Sequence, residues 1–135
     1  MTHSPASEHQ KNTTILVVED NNVSSTMLRF ALQKKQYNVH CVQDGEACLK
    51  ALEAQPFDLV LMDIELPFMT GDEALKRIRD GQDRYCGIPV VAMTAHDSLE
   101  ALERLSKIGF DAVLNKPLDL AALMHTIEKI LCRSK

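Results

Sequence analysis

Five polar residues in this sequence each follow a short apolar run, and their chemical types complement one another. They are Glu19, Asp20, Asp63, Thr94 and Lys116. Three carboxylates placed together raise one another's pKa, so such a group stays ionised only beside a cation. Oxygen ligands with no Cys or His among them favour Mg²⁺, which keeps several waters and shares phosphoryl oxygens with the protein. If these residues converge, the sequence predicts a magnesium-dependent phosphoryl-transfer site.

Each of these residues has a role in that chemistry and also a plain structural explanation. The Lys116 ammonium, the Thr94 hydroxyl and a metal would together neutralise the spread charge of a transferring phosphoryl group. Asp63 ends the apolar run LVLMD, and its carboxylate can attack phosphorus to form an acyl phosphate. Taken singly, however, an aspartate at a strand end is often a turn former or helix cap. The functional interpretation depends on all five residues sharing one edge of a sheet.

Five β-rich runs alternate with five segments of helical period, and these elements must position the site. The strands are predicted at residues 14–18, 37–42, 57–62, 88–93 and 112–115. Thr70 with Glu73, and Asp97 with Glu100, have capping-box spacing, and Asp119 is placed to cap the last helix. Strict alternation implies right-handed crossovers and an α/β fold, a parallel sheet with helices on both faces. In such sheets ligands bind outside the carboxyl ends of the strands.

The apolar residues of the five predicted helices are expected to face the sheet. These inward sets are Met27, Leu28, Ala31 and Leu32; Ala47, Cys48, Ala51 and Leu52; Ala74, Leu75 and Ile78; Leu99, Leu102 and Leu105; and Leu123, Met124, Ile127 and Leu131.

Size and composition suit one compact domain, predicted over residues 13–135 after a flexible tail at 1–12. The chain has 135 residues, 45% of them hydrophobic, and a net charge of −4, with 15 Lys and Arg spread along it. A basic stripe is missing, so direct nucleic-acid binding is not expected. No apolar stretch approaches the roughly 20 residues of a membrane span, and the N-terminus has no secretory signal pattern. We therefore expect a cytoplasmic protein without membrane insertion. The four cysteines lack zinc-site spacing.

Four segments strongly resemble the receiver domain of bacterial two-component response regulators. They are VVEDN (17–21), LMDIELPFMTGDEA (61–74), AMTAHD (92–97) and LNKPLD (114–119), in that family's order and spacing. The resemblance covers about residues 13–131 and implies a flavodoxin-like, doubly wound sheet of strand order 2-1-3-4-5. It implies a signalling domain and not an enzyme, one that promotes its own phosphorylation and slow dephosphorylation. The implied partner is a histidine kinase or histidine phosphotransfer protein, and the implied state is a monomer or weak dimer.

The same resemblance implies a phosphoacceptor and its metal ligands. Asp63 matches the residue that takes a phosphoryl group from a phosphohistidine. Asp20, Asp63 and the backbone carbonyl of Glu65 match the Mg²⁺ ligands, with Glu19 acting through a water.

Further residues match positions around the phosphoacceptor. Thr94 matches a switch hydroxyl that turns toward the phosphoryl group, and Lys116 matches the residue that pairs with it. Ala95 is small where the family needs access to the aspartate. The bond between Lys116 and Pro117 is cis in the family.

Two positions depart from the commonest receiver pattern. Val113 stands three residues before the lysine, where many receivers carry a switch Tyr or Phe. Output from the face formed by the last helices is therefore expected to be muted or to use other side chains. Leu66 stands where Met often precedes the proline, a volume-conserving change of small consequence.

Glu65 and His96 lie two residues beyond Asp63 and Thr94 and are expected at the mouth of the site. Two interpretations stay open from the sequence. They are either solvated polar residues or groups that gate or orient the water that hydrolyses the aspartyl phosphate.

Two other α/β classes share part of the pattern and are less favoured. A haloacid-dehalogenase-like phosphatase needs a second Asp two residues after its nucleophile, where Glu65 stands, and carries its nucleophile on the first strand. A flavodoxin-like cofactor binder needs a phosphate-cradling loop after the first strand, where this chain has the acidic EDNNVSST. Whether the domain stands alone or comes from a hybrid kinase stays open, with a slight preference for the excised or phosphorelay type.

Overall fold

A computed structural model describes residues 12–133, over which five strands and five helices alternate. The strands are β1 (Thr14–Val18), β2 (Asn38–Val42), β3 (Leu59–Asp63), β4 (Val90–Thr94) and β5 (Ala112–Asn115). The helices are α1 (Asn22–Lys34), α2 (Gly45–Ala54), α3 (Gly71–Arg79), α4 (Leu99–Ile108) and α5 (Leu120–Arg133). The predicted flexible tail lies outside the described residues except for Asn12.

All strand pairs are parallel, and their order is β2-β1-β3-β4-β5. The predicted fold class and strand order are therefore confirmed. The order reverses beside β1, so the carboxyl ends of β1 and β3 flank the crevice in which open α/β sheets bind ligands. The register places Asp63 opposite Met93 and Thr94 opposite Asn115.

The core has two layers, one on each face of the sheet. Leu28 and Leu32 of α1 pack with Leu123 and Ile127 of α5 on one face. The helices α2, α3 and α4 cover the other face, with buried residues that include Cys48, Leu52, Ala74, Leu75, Ile78 and Leu105. Every residue of β3 and β4 is buried. The two strands that carry Asp63 and Thr94 are therefore covered from both sides, which makes them rigid supports for a site.

Several sequence predictions about element ends need correction. Strands β3 and β4 each begin two residues later than predicted and run one residue further, so Asp63 and Thr94 are the last strand residues. The cap of α4 is Ser98, whose side chain accepts the Ala101 N–H, and not Asp97. Both residue types are good caps, so local sequence does not choose between them.

The cap of α3 was predicted correctly, and so was the capping role of Asp119 before α5. The Thr70 hydroxyl accepts the N–H of Glu73 at 3.2 Å. The Asp119 carboxylate accepts the N–H of Ala121 at 2.9 Å.

Two residues predicted to face inward are exposed instead. Met27 of α1 is 65% exposed and Leu99 of α4 is 73% exposed. In each helix the buried side chains form a narrower stripe than the apolar pattern suggested: Leu28 and Leu32 in α1, and Leu105 alone in α4.

Candidate functional site

Three carboxylates meet at the carboxyl edge of the sheet, where the sequence predicted them. Glu19 and Asp20 follow β1, Asp63 ends β3, and β1 pairs with β3. One carboxylate oxygen from each residue lies within 4.8 Å of the others. Glu19 and Asp63 are buried, at 2% and 3% exposure, whereas Asp20 is exposed. The cluster is thus open to solvent on the side of Asp20.

Lys116 supplies the positive charge next to this cluster. Its Nζ lies 2.8 Å from Oδ2 of Asp63 and 3.1 Å from Oε1 of Glu19. The residue directly follows β5, and its backbone N–H donates to the carbonyl of Thr94 at 2.8 Å. The Lys116–Pro117 peptide bond is cis, as the resemblance implied. Burial disfavours the charged lysine, but hydrogen bonds and charges of Asp63 and Glu19 outweigh it and raise the pKa of Lys116.

The Asp63 carboxylate is held through both of its oxygens. Lys116 binds Oδ2, and the backbone N–H of Glu65 donates to Oδ1 at 2.9 Å. Both partners are hydrogen-bond donors, one to each carboxylate oxygen. Together they fix the orientation of the Asp63 carboxylate.

The surroundings of Glu19 oppose its ionisation. Burial raises the pKa of Glu19, and the negative charge of Asp63 adds to this effect. The N–H of Asn21, 3.1 Å from Oε2 of Glu19, and the Lys116 ammonium act in the opposite direction but do not cancel it. By formal count the cluster holds three carboxylates and one ammonium, an excess of negative charge that a further cation would relieve.

The donor set of this cluster fits Mg²⁺. Three carboxylates converge, and none of the residues in the group is a Cys or His. Hard oxygen donors of this kind suit Mg²⁺ better than a soft or imidazole-preferring metal.

The other residues that the sequence singled out differ in their burial. Thr94 is fully buried, and its Oγ1 accepts the N–H of His96 at 3.0 Å. The Nε2 of His96 lies 3.2 Å from Oε2 of Glu65, and both side chains are more than half exposed. This pair bridges the loops after β3 and β4. Ala95, between Thr94 and His96, is exposed. Val113 packs partly buried against the core layer under α2, α3 and α4.

Sequence reasoning missed two residues that shape this edge. Asn115 donates from its side-chain amide to the carbonyl of His96 at 2.9 Å. At Gly71 an added Cβ would stand 2.9 Å from Cα of Ile64, so only glycine lets α3 begin this close to the loop after Asp63. Asn115 could be recognised only from its pairing with Thr94 in the sheet, which the local sequence does not show.

An apolar cleft of about 380 Å³ opens beside the charged cluster. Its lining residues are Glu19, Ser24, Met27, Leu28, Lys116, Pro117, Leu118 and Leu120. Exposed apolar side chains continue along α1 at Val23, Met27 and Phe30, and at Leu120 at the start of α5. We call Val23, Met27, Phe30 and Leu120 the α1/α5 apolar strip. None of the helices within residues 12–133 is long and apolar enough to cross a bilayer.

Comparison with known proteins shows which family the chain matches. The family model described as "Response regulator receiver domain" matches residues 15–128. The chain is 36% identical over 121 residues to the CAI-1 autoinducer sensor kinase/phosphatase CqsS of Vibrio cholerae, covering 90% of the chain and 17% of that protein. It is 37% identical over 123 residues to the transcriptional regulatory protein ZraR of Escherichia coli, covering 91% of the chain and 27% of that protein. The chain thus spans about a quarter or less of these curated relatives.

Solved structures share the fold over nearly the whole chain. The receiver domain of a sensor histidine kinase from Pseudomonas aeruginosa, with a magnesium ion in its active site cleft, superposes with a TM-score of 0.76 at 34% identity. The match covers 90% of this chain and 95% of that one. The Saccharomyces cerevisiae Ssk1 receiver domain, crystallised with the phosphotransfer protein Ypd1, gives a TM-score of 0.82 at 27% identity, over 90% of each chain.

Proposed function

The chain belongs to the response regulator receiver domain family, and we propose that Asp63 is the residue on which it carries a phosphoryl group. As a receiver domain, it acts in a two-component phosphorelay. The observation that carries the proposal is the pair of donors on Asp63: Lys116 on Oδ2 and the Glu65 N–H on Oδ1. They orient a buried carboxylate at the edge of the sheet beside two further acids.

In the proposed reaction, an Asp63 oxygen attacks the phosphorus of a partner's phosphohistidine. The new O–P bond forms as the N–P bond breaks, and the imidazole leaves with the electron pair. Lys116 is close enough to Asp63 to pair with the incoming phosphoryl oxygens. Thr94, at the end of the neighbouring strand, supplies a hydroxyl donor for the same charge. The domain is thus a carrier of the phosphoryl group in signalling, which Asp63 releases again by slow hydrolysis.

Asp20, Asp63 and the Glu65 carbonyl would hold Mg²⁺, with Glu19 contributing through a water. When bound, the metal supplies positive charge that offsets the phosphoryl and carboxylate charges. This assignment is supported by the excess of three carboxylates over the single Lys116 ammonium in the cluster.

We infer that the partner is a histidine kinase or a histidine phosphotransfer protein that covers the α1/α5 apolar strip. Asp63 is only 3% exposed, so a phosphohistidine must be brought over the edge of the sheet by a protein that seats beside it. Val23, Met27 and Phe30 recur at helical spacing on one face of α1, next to the cleft that reaches Lys116. Contiguous exposed apolar residues of this kind mark protein-binding surfaces. The sensor-kinase relatives favour a place in a phosphorelay.

Phosphotransfer from a labelled phosphohistidine protein tests the proposal directly. With Mg²⁺ present, label is expected on the wild-type chain. It is also expected on the control variant Asp83→Asn, which changes an exposed aspartate between α3 and β4. Asp63→Asn is expected to take up none. Label that persists on Asp63→Asn, or a wild-type chain that binds no beryllofluoride with Mg²⁺, would contradict the assignment.

A further inference from the structure

The backbone of His96 is held on both sides by residues at the ends of two neighbouring strands. Its N–H donates to Oγ1 of Thr94 at 3.0 Å, and its carbonyl accepts the side-chain amide of Asn115 at 2.9 Å. Thr94 and Asn115 are register partners in β4 and β5, and the two strands are joined again where the Lys116 N–H donates to the Thr94 carbonyl. The loop between β4 and α4 is therefore anchored at one residue by two side chains.

This arrangement restricts the Thr94 hydroxyl. Thr prefers a few staggered side-chain rotamers, so a hydroxyl that rotates to meet a phosphoryl group on Asp63 moves away from the His96 N–H. The N–H then loses its partner, and the loop that this bond anchored is freer to shift. Asn115 opposes that shift because it holds the carbonyl of the same residue.

We propose that Asn115 is a positioning residue that acts through His96 to keep Thr94 in its unphosphorylated orientation. Asparagine suits the role because its side-chain amide can donate to a carbonyl, as it does here to His96 at 2.9 Å. The inference rests on the proposed function of Asp63. Asn115 affects the equilibrium between the two orientations of Thr94 and not the phosphoryl-transfer step itself.

Beryllofluoride with Mg²⁺, a phosphoryl mimic, provides the first measurement. Asn115→Leu keeps nearly the same volume and removes the donor, and Asn115→Ala serves if the leucine variant does not fold. Losing one neutral hydrogen bond from the unphosphorylated arrangement should tighten beryllofluoride binding roughly two- to tenfold. Asn115→Gln retains an amide donor and is expected to bind with nearly the wild-type affinity.

A double-mutant cycle separates positioning from a general effect on stability. In a Thr94→Val background the hydroxyl is absent, so Asn115→Leu should no longer change beryllofluoride affinity. An equal effect in both backgrounds, or an unchanged or weakened affinity in Asn115→Leu alone, would overturn the proposal.

Hydrogen exchange of the His96 amide tests the same claim without any phosphoryl mimic. Exchange should be faster in Asn115→Leu than in wild type and in Asn115→Gln, because the bond to Thr94 opens more often. Equal exchange in all three proteins would refute the role of Asn115. A wild-type chain that exchanges as expected but binds no beryllofluoride would instead refute the function proposed for Asp63.

Discussion

Replacing Lys116 with methionine removes the cation beside Glu19 and Asp63 while keeping a side chain of similar length. At an effective dielectric constant of about 20, charges 2.8 and 3.1 Å apart attract by roughly 5–6 kcal/mol per pair. Repulsion between the carboxylates and the loss of hydration offset most of this attraction. Breaking a buried pair typically costs about 3–5 kcal/mol. The Lys116 side chain is 28% exposed and partly screened, so we expect a loss of about 2–3 kcal/mol.

Chemical and thermal unfolding at neutral pH measure this loss. With EDTA present, Lys116→Met should melt roughly 6–15 °C below wild type for a domain of this size. Excess Mg²⁺ should then stabilise the variant more than it stabilises wild type, because the metal replaces the missing positive charge. Lys129→Met removes a charge from an exposed position of α5 and is the matched control, with a change within about 0.5 kcal/mol.

The reasoning fails if Lys116→Met is as stable as wild type in EDTA. Such a result would mean that the carboxylates can remain together without a cation. Either one of them would be protonated, or water would reach them despite the burial of Glu19 and Asp63. Equal stabilisation of both proteins by Mg²⁺ would separately contradict the view that lysine and metal compensate the same charge.

Three further predictions concern a buried thiol, the mouth of the site and the far end of the sheet. Burial raises the pKa of Cys48 to about 12 from a usual value near 9.0, so between these values the unfolded thiol ionises first and stability falls as pH rises, by up to about 1.4 kcal/mol per pH unit. In urea unfolding measured over a pH series, the free energy of unfolding should fall less steeply with pH for Cys48→Ala than for wild type. Identical slopes for the two proteins would contradict this role of Cys48. Replacing both Glu65 and His96 with alanine should speed hydrolysis of the aspartyl phosphate severalfold, because the pair bridges the loops after β3 and β4. The melting temperature should stay nearly unchanged because both side chains are exposed. An unchanged lifetime of the aspartyl phosphate would support the view that the two residues are only solvated. Arg79→Met should lower the free energy of unfolding by about 2 kcal/mol, because its guanidinium binds the carbonyls of Cys86 and Ile88 at 2.9 and 2.7 Å. Unaltered beryllofluoride affinity in that variant would confirm that the effect is confined to stability.

The convergence of Glu19, Asp20, Asp63 and Lys116 was predictable because it follows from the order of elements. Apolar runs that alternate with helical segments imply a parallel sheet, and a parallel sheet brings the ends of distant strands to one edge. The prediction needed no knowledge of side-chain geometry. For the same reason it did not supply the contacts themselves, such as the reach of Lys116 to both Asp63 and Glu19.

Asn115 and Gly71 were not predictable from local pattern because their roles depend on contacts across the fold. Asn115 reaches His96 only because β4 and β5 pair in the observed register. Gly71 matters because α3 starts against the backbone of Ile64. A polar residue at a strand end and a glycine at a helix start each have ordinary explanations, so neither stands out before the chain is folded.

The wrong prediction for Met27 carries information about function. An amphipathic helix that only needed to cover the sheet would have polar residues on its outer face. Helix α1 instead buries Leu28 and Leu32 and turns Val23, Met27 and Phe30 outward, each at least 65% exposed. These residues contribute little to the stability of the isolated domain, because their apolar surface stays in water. Exposed apolar residues of this kind are expected where a protein binds a partner. Met27 lines the cleft that also contains Glu19 and Lys116, so the proposed partner would bury this surface beside the acidic cluster.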